Sequence, residues 1–146
     1  MSDPVHVACP ACLAKNRVPA ERLSANPACG RCKRALFDAH PLALTAASFD
    51  PVVSRTDLPV VVDFWAPWCG PCVSFAPVYE QAAARIEPRA RLAKLDTEAH
   101  PSIAARYAIR SIPTLAVLRG GRELARMSGA LPLREFLAWL EPHLRG

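Results

Sequence analysis

Six cysteines fall into three Cys-x-x-Cys pairs, Cys9/Cys12, Cys29/Cys32 and Cys69/Cys72. Such a pair either exchanges a disulfide for two thiols or donates two thiolates to a soft metal ion. The flanking residues separate these uses. Cys69 and Cys72 follow the apolar run Val60-Val61-Val62-Asp63-Phe64-Trp65, which reads as a buried strand, and precede Phe75, Val78, Ala82 and Ile86, spaced as one face of an amphipathic helix. The thiols therefore open a helix, where unpaired backbone N–H groups and partial positive charge favour a thiolate and lower its pKa. Cys69 is placed to receive those N–H groups, and Cys72, one turn further in, is within bonding reach of it. Gly70 permits the intervening turn and Pro71 stiffens it.

Cys9-Pro10-Ala11-Cys12 and Cys29-Gly30-Arg31-Cys32 are separated by sixteen residues, a spacing suited to one four-cysteine zinc site built from two knuckles. Pro10 and Gly30 are the residues expected to shape those turns. The surrounding apolar set (Val5, Val7, Leu13, Val18, Leu23, Leu36 and Phe37) is too small to hold a fold, so bound Zn²⁺ is expected to supply the folding free energy. Disulfides or accessory redox pairs are the alternatives. His6 and His40 are not needed as ligands beside four thiols.

The elements that must position the central pair follow in order. Leu42–Leu44 reads as a short strand, 45–49 carries N-cap candidates for a short helix ending near Val53, Arg91–Asp96 reads as a strand, and 100–107 as a helix opened by Pro101. Residues 114–118 and 123–127 read as antiparallel strands joined at Gly120-Gly121, a turn requiring positive φ. Leu133, Phe136, Leu137, Leu140 and Leu144 form the stripe of a last helix entered through Pro132. Pro77 falls inside the helix after the thiols and is expected to kink it. This order implies an α/β fold with helices on both faces of a mixed sheet. Asp38-Ala39-His40-Pro41 marks the junction, dividing the chain into 1–38 and 39–146, a link short enough for the first part to pack on the second.

From about Leu42 onward the chain resembles the thioredoxin family. The string Val61-Val62-Asp63-Phe64-Trp65-Ala66-Pro67-Trp68-Cys69-Gly70-Pro71-Cys72 is similar to that family's active-site strand and loop, Ser111-Ile112-Pro113-Thr114 to its cis-proline loop, and Ser128-Gly129-Ala130-Leu131 to its glycine turn. A zinc ribbon ahead of such a domain resembles the thioredoxin 2 type found in bacteria. The resemblance implies the thioredoxin fold and a protein-disulfide reductase, with Cys69 as nucleophile, Cys72 as resolving thiol and Asp63 in proton transfer. It also implies a cis Ile112–Pro113 bond, and a substrate rim of Trp68, Gly70, Pro71, Ile112, Pro113, Gly129 and Ala130. Lys94 matches the family lysine near the buried aspartate. Thioredoxin reductase, using NADPH, would restore the dithiol, so this chain itself is expected to bind no organic cofactor.

On the residues alone, Asp63 stays open: a strand carboxylate usually faces water, whereas a run apolar on both faces argues for burial and a raised pKa. Lys94 reads equally well as an exposed lysine. A disulfide oxidase or isomerase, and a zinc-ribbon adaptor that only docks partners, are the competing functions. Gly70-Pro71 and the intact cysteine pair count against them.

Composition narrows the classes. The apolar fraction of 51% supports one domain plus a small appendage, and nowhere do eighteen apolar residues run together. Net charge is +5, of which residues 1–40 carry +3; four thiolates on one Zn²⁺ would bring that segment to about +1. Nucleic acid is therefore not an expected partner, although Arg31, Lys33 and Arg34 cluster beside the second knuckle. With no signal-peptide pattern at its N-terminus, the protein is expected to be a cytoplasmic monomer without membrane association.

Overall fold

A computed structural model describes residues 3–145. Strands β1 (Pro4–Ala8) and β2 (Lys15–Pro19) form an antiparallel hairpin in register from Pro4↔Pro19 to Ala8↔Lys15, followed by a 3-10 helix at Ala20–Arg22. Then come β3 (Leu42–Leu44), α1 (Phe49–Ser54), β4 (Val60–Trp65), α2 (Gly70–Ile86), β5 (Arg91–Asp96), α3 (Pro101–Arg106), β6 (Thr114–Arg119), β7 (Arg122–Ser128) and α4 (Leu133–Leu144). The five later strands make one sheet in the order β3-β5-β4-β6-β7. β5 runs parallel to β3 and β4, while β6 and β7 are antiparallel to their neighbours, so the sheet is mixed as expected. Among the described residues no helix is long and apolar enough to cross a membrane.

Alternation in the strands divides the core between two faces. Val62, Phe64, Ala93, Leu95, Ala116 and Leu118 meet Phe49, Val52 and Val53 of α1 and Ile103 of α3. Val61, Leu92, Leu115 and Val117 meet Phe75, Tyr79 and Ile86 of α2 and Phe136 and Leu140 of α4. Buried on both faces, β4 must be apolar throughout, which is why its one carboxylate matters. Gly120 and Gly121 have φ of +59° and +82°, the paired positive values of a hairpin turn that splays no strand.

α2 begins at Gly70 with Cys69 as its N-cap, as expected of thiols that open the helix, and Pro71 in the first turn has no N–H to lose. α1 begins at Phe49 behind Ser48, one of the expected N-cap residues, and Thr45 and Ser48 bond one another's backbone and side chains in the preceding turn. One local expectation shifts. Gly30 is not where the second knuckle needs freedom: positive φ falls on Leu13 (65°) and Lys33 (69°), the residues just after each pair.

The N-terminal segment packs against the base of the large sheet. Ala8 N–H donates to Thr56 Oγ1 at 3.2 Å, His6 N–H to Asp57 Oδ2 at 2.7 Å, and Arg55 Nη1 to the Leu13 carbonyl at 2.7 Å. Leu58 packs into the segment's own core of Val7, Val18 and Leu36. Deepest is Arg91, 1% exposed, whose guanidinium donates to the Leu36 carbonyl, lies 4.4 Å from the Phe37 ring centroid and pairs with Glu87 at 3.5 Å. Burial pushes the Glu87 carboxyl up to about 7 against the pull of Arg91.

Candidate active site and four-cysteine cluster

β4 delivers its last residue, Trp65, to the C-terminal end of the sheet's central strand, and the turn Ala66–Trp68 places Cys69 at the head of α2. Cys69 and Cys72 are joined as a disulfide, with Cα atoms 5.2 Å apart. The Cys72 N–H donates to the Cys69 sulfur at 3.2 Å. It is the one N–H that N-cap geometry can offer there, because Pro71 has none. Cys69 keeps 5% of its surface exposed and Cys72 2%, so the first sulfur is the one an incoming group meets. Trp68 beside it is 70% exposed.

The peptide bond before Pro113 is cis. The Ile112 carbonyl oxygen lies 3.7 Å from the Cys69 sulfur, and the Ile112 side chain packs with Ala66, Cys69, Cys72 and Trp65. Pro113 itself is buried and its carbonyl accepts from Gly129 N–H at 2.9 Å, linking the two loops. Gly129, at φ +109°, Ala130, Gly70 and Pro71 are exposed, so Pro113 supports the rim from beneath. Sequence reading missed the clamp on this loop: Thr114 Oγ1 donates to the Ser111 carbonyl at 2.6 Å and meets Ser128 Oγ at 3.0 Å. The available signal was three hydroxyl residues at the paired ends of adjoining strands.

Asp63 settles to the buried side, 1% exposed, on the face of β4 covered by α2, with neither carboxylate oxygen hydrogen-bonded among the described residues. Burial raises its pKa to about 7, and Lys94, its register partner on β5, opposes that rise. Lys94 is half-buried with Nζ 4.3 Å from the Trp65 ring centroid. A group near 7 can take up and return a proton at neutral pH. The folded protein holds a proton that the unfolded chain would release, so Asp63 costs stability as pH rises from about 4 through about 7. Asp63→Asn removes that titration. Denaturant melts at pH 5 and pH 8 should show the variant gaining roughly 2 kcal/mol on wild type across the interval. A constant difference would put Asp63 back in the ordinary carboxylate range.

The four remaining cysteines gather at one point, Cys9 and Cys12 at the tip of the β1–β2 hairpin and Cys29 and Cys32 in a second turn closed by the Ala28–Ala35 bridge. All four sulfurs lie within 4.8 Å of one another, with Cys9–Cys32 at 3.5 Å and Cys12–Cys29 at 3.6 Å. Tetrahedral zinc with Zn–S bonds of about 2.3 Å needs sulfurs about 3.8 Å apart. The cluster fits. The two turns repeat one design: Cys9 accepts N–H bonds from Ala11 and Cys12, and Cys29 from Arg31 and Cys32. The Cys32 N–H and the Asn16 side-chain amide lead in lowering the Cys29 thiol to about 5, while burial and the neighbouring thiols push Cys12 up to about 11.

Residues 40–142 match the family model described as Thioredoxin, and residues 8–34 the model described as Thioredoxin 2, N-terminal. Thioredoxin C-3 of Corynebacterium nephridii is 45% identical over 139 residues, covering 95% of each chain. The chloroplastic M-type thioredoxin of Chlamydomonas reinhardtii is 38% identical over 130 residues, covering 87% of this chain and 93% of its own. Thioredoxin 1 of a Nostoc species is 43% identical over 101 residues, covering 69% of this chain and 94% of its own.

Proposed function

The chain belongs to the thioredoxin family of thiol–disulfide oxidoreductases, and we propose that it is a cytoplasmic, monomeric protein-disulfide reductase carrying a zinc ribbon, with residues 1–38 as ribbon and 39–146 as thioredoxin domain. The observation that carries the reading is the Cys69–Cys72 pair at the head of α2, facing the carbonyl of a cis-proline loop.

In the reduced protein the Cys69 thiolate attacks one sulfur of a substrate disulfide. A Cys69–substrate disulfide forms and the other substrate sulfur leaves as a thiolate, which takes up a proton. Cys72 then loses its proton to Asp63 and attacks the Cys69 sulfur, releasing the second substrate thiolate and closing the intramolecular disulfide. Two electrons have passed to substrate. Lys94, beside Asp63 in register, helps hold that carboxyl in range. Trp68, Gly70, Pro71, Ile112, Gly129 and Ala130, with Pro113 beneath, give a largely apolar rim, and the Ile112 backbone offers an edge to which an extended substrate can pair. Thioredoxin reductase returns the dithiol with electrons from NADPH, so the nicotinamide belongs to the partner.

Cys9, Cys12, Cys29 and Cys32 would hold one structural or redox-sensitive Zn²⁺, whose binding supplies folding energy to a segment with a small core and whose thiolate ligands oxidation would remove. An oxidase or isomerase and a pure adaptor are disfavoured by Gly70-Pro71 and by the intact thiol pair.

The test is reduction of insulin disulfides coupled to NADPH oxidation through a thioredoxin reductase. Turnover is expected with wild type and not with Cys69→Ser. Equal rates for the two proteins would leave only the adaptor reading.

A further inference from the structure

Among the described residues three large hydrophobic side chains stand out in solvent: Trp68 at 70%, Val73 at 53% and Leu124 at 46% exposure. Single exposed apolar residues are ordinary. Two of these, however, flank the same dithiol. Val73 lies four residues after the N-cap Cys69, hence on the same side of α2, and its Cα–Cβ bond tilts toward the helix N-terminus, toward Trp68 and Cys69. It belongs to none of the core clusters, and a β-branched residue there lowers helix propensity by a few tenths of a kcal/mol relative to lysine or glutamate.

The chain around the dithiol also carries no charge of its own. No Asp, Glu, Lys or Arg occurs from Ala66 to Tyr79, and the exposed residues in that stretch are Pro67, Trp68, Gly70, Pro71, Val73, Ser74 and Pro77. The first charge on α2 is Glu80, about 16 Å along the helix from Cys69. The apolar rim therefore continues past the cysteines onto the first two turns of α2. A substrate chain leaving the Cys69 sulfur in that direction meets Val73 next. Apolar side chains there lose water at no polar cost, whereas a charged one is desolvated with no counter-ion to receive it.

Resting on the reductase reading, we propose that Val73 is a specificity-determining residue, selecting protein disulfides flanked by apolar side chains on the side that lies over α2. The experiment compares two disulfide-closed peptides of equal length, one with leucines and one with glutamates flanking the cysteine, for wild type, Val73→Glu, Val73→Lys and Leu124→Glu. Wild type prefers the leucine peptide. Val73→Glu lowers that preference roughly five- to tenfold, through KM with kcat within about twofold. Val73→Lys moves the preference toward the glutamate peptide, and Leu124→Glu, the same change at an exposed hydrophobic on β7, leaves it unaltered.

Equal losses on both peptides, or a change confined to kcat, would mean that Val73 acts on the fold or the thiols and would overturn the proposal. So would no change at all. A wild type that reduces neither peptide would instead overturn the reductase reading beneath it.

Discussion

Cys72→Ser should capture substrate and fail to release it. Turnover in the coupled assay is expected to fall at least about 10³-fold, because the second step changes from attack by a neighbouring thiol to attack by a thiol from solution. The geometry sets both halves of this result. With Cα atoms 5.2 Å apart at the start of one helix, Cys72 is held within bonding distance of Cys69, an arrangement equivalent to a very high local thiol concentration. Cys69, the more exposed of the two, sits under the Ile112 carbonyl where a docked chain would lie. The adduct should therefore form on Cys69, appear as a mass increase equal to one substrate, and disappear on adding dithiothreitol. Cys69→Ser should give neither turnover nor adduct. If instead the surviving Cys72 of that variant became labelled as readily as Cys69 does in Cys72→Ser, the order of the two sulfurs assigned above would be reversed.

Much of this site was legible because its parts are local. A helix N-terminus, a two-glycine hairpin and a prolyl bond are each written in a few adjacent residues, and β4, α2, β6 and β7 lie within a residue or two of their expected bounds. Asp63 was undecided from the run alone and became definite only with α2 laid across its face, since burial is a property of the packed sheet. The knuckle turns were expected to rely on Gly30, yet Leu13 and Lys33 carry the positive φ, held there by paired backbone bonds that no short-range signal announces: Leu13 N–H to Cys9, and Lys33 N–H to Cys29. Arg91 was the least legible. At the start of a strand of alternating character it reads as a surface cation, and its burial depends on a segment more than fifty positions earlier closing over it.

Arg91→Met should destabilise the whole chain by about 3–5 kcal/mol, seen as a fall of roughly 10 °C in melting temperature. The side chain is fully enclosed, and it is the only described partner of the equally buried Glu87 carboxylate in an ion pair. Removing the cation leaves that carboxylate to be protonated or to sit uncompensated in a low-dielectric site. Burial already holds the Glu87 carboxyl near 7, and Arg91 is what pulls it down. Without Arg91 it stays protonated to higher pH, so the deficit should be smaller at pH 6 than at pH 8. Adding Glu87→Gln should recover more of the loss at pH 8 than at pH 6. Arg91 also bonds the Leu36 carbonyl and stacks on Phe37, both in the four-cysteine segment. The variant should therefore surrender zinc to a chelator faster than wild type, because folding of that segment and metal binding are one equilibrium. Its Cys69 chemistry should persist in the molecules that remain folded, for Arg91 pairs with Val60 at the opposite end of β4, about 17 Å along the strand from Trp65 and the loop that carries the thiols. A melting temperature unchanged at both pH values, with zinc retained, would show that the ribbon is held by its contacts to Arg55, Thr56, Asp57 and Leu58 without Arg91.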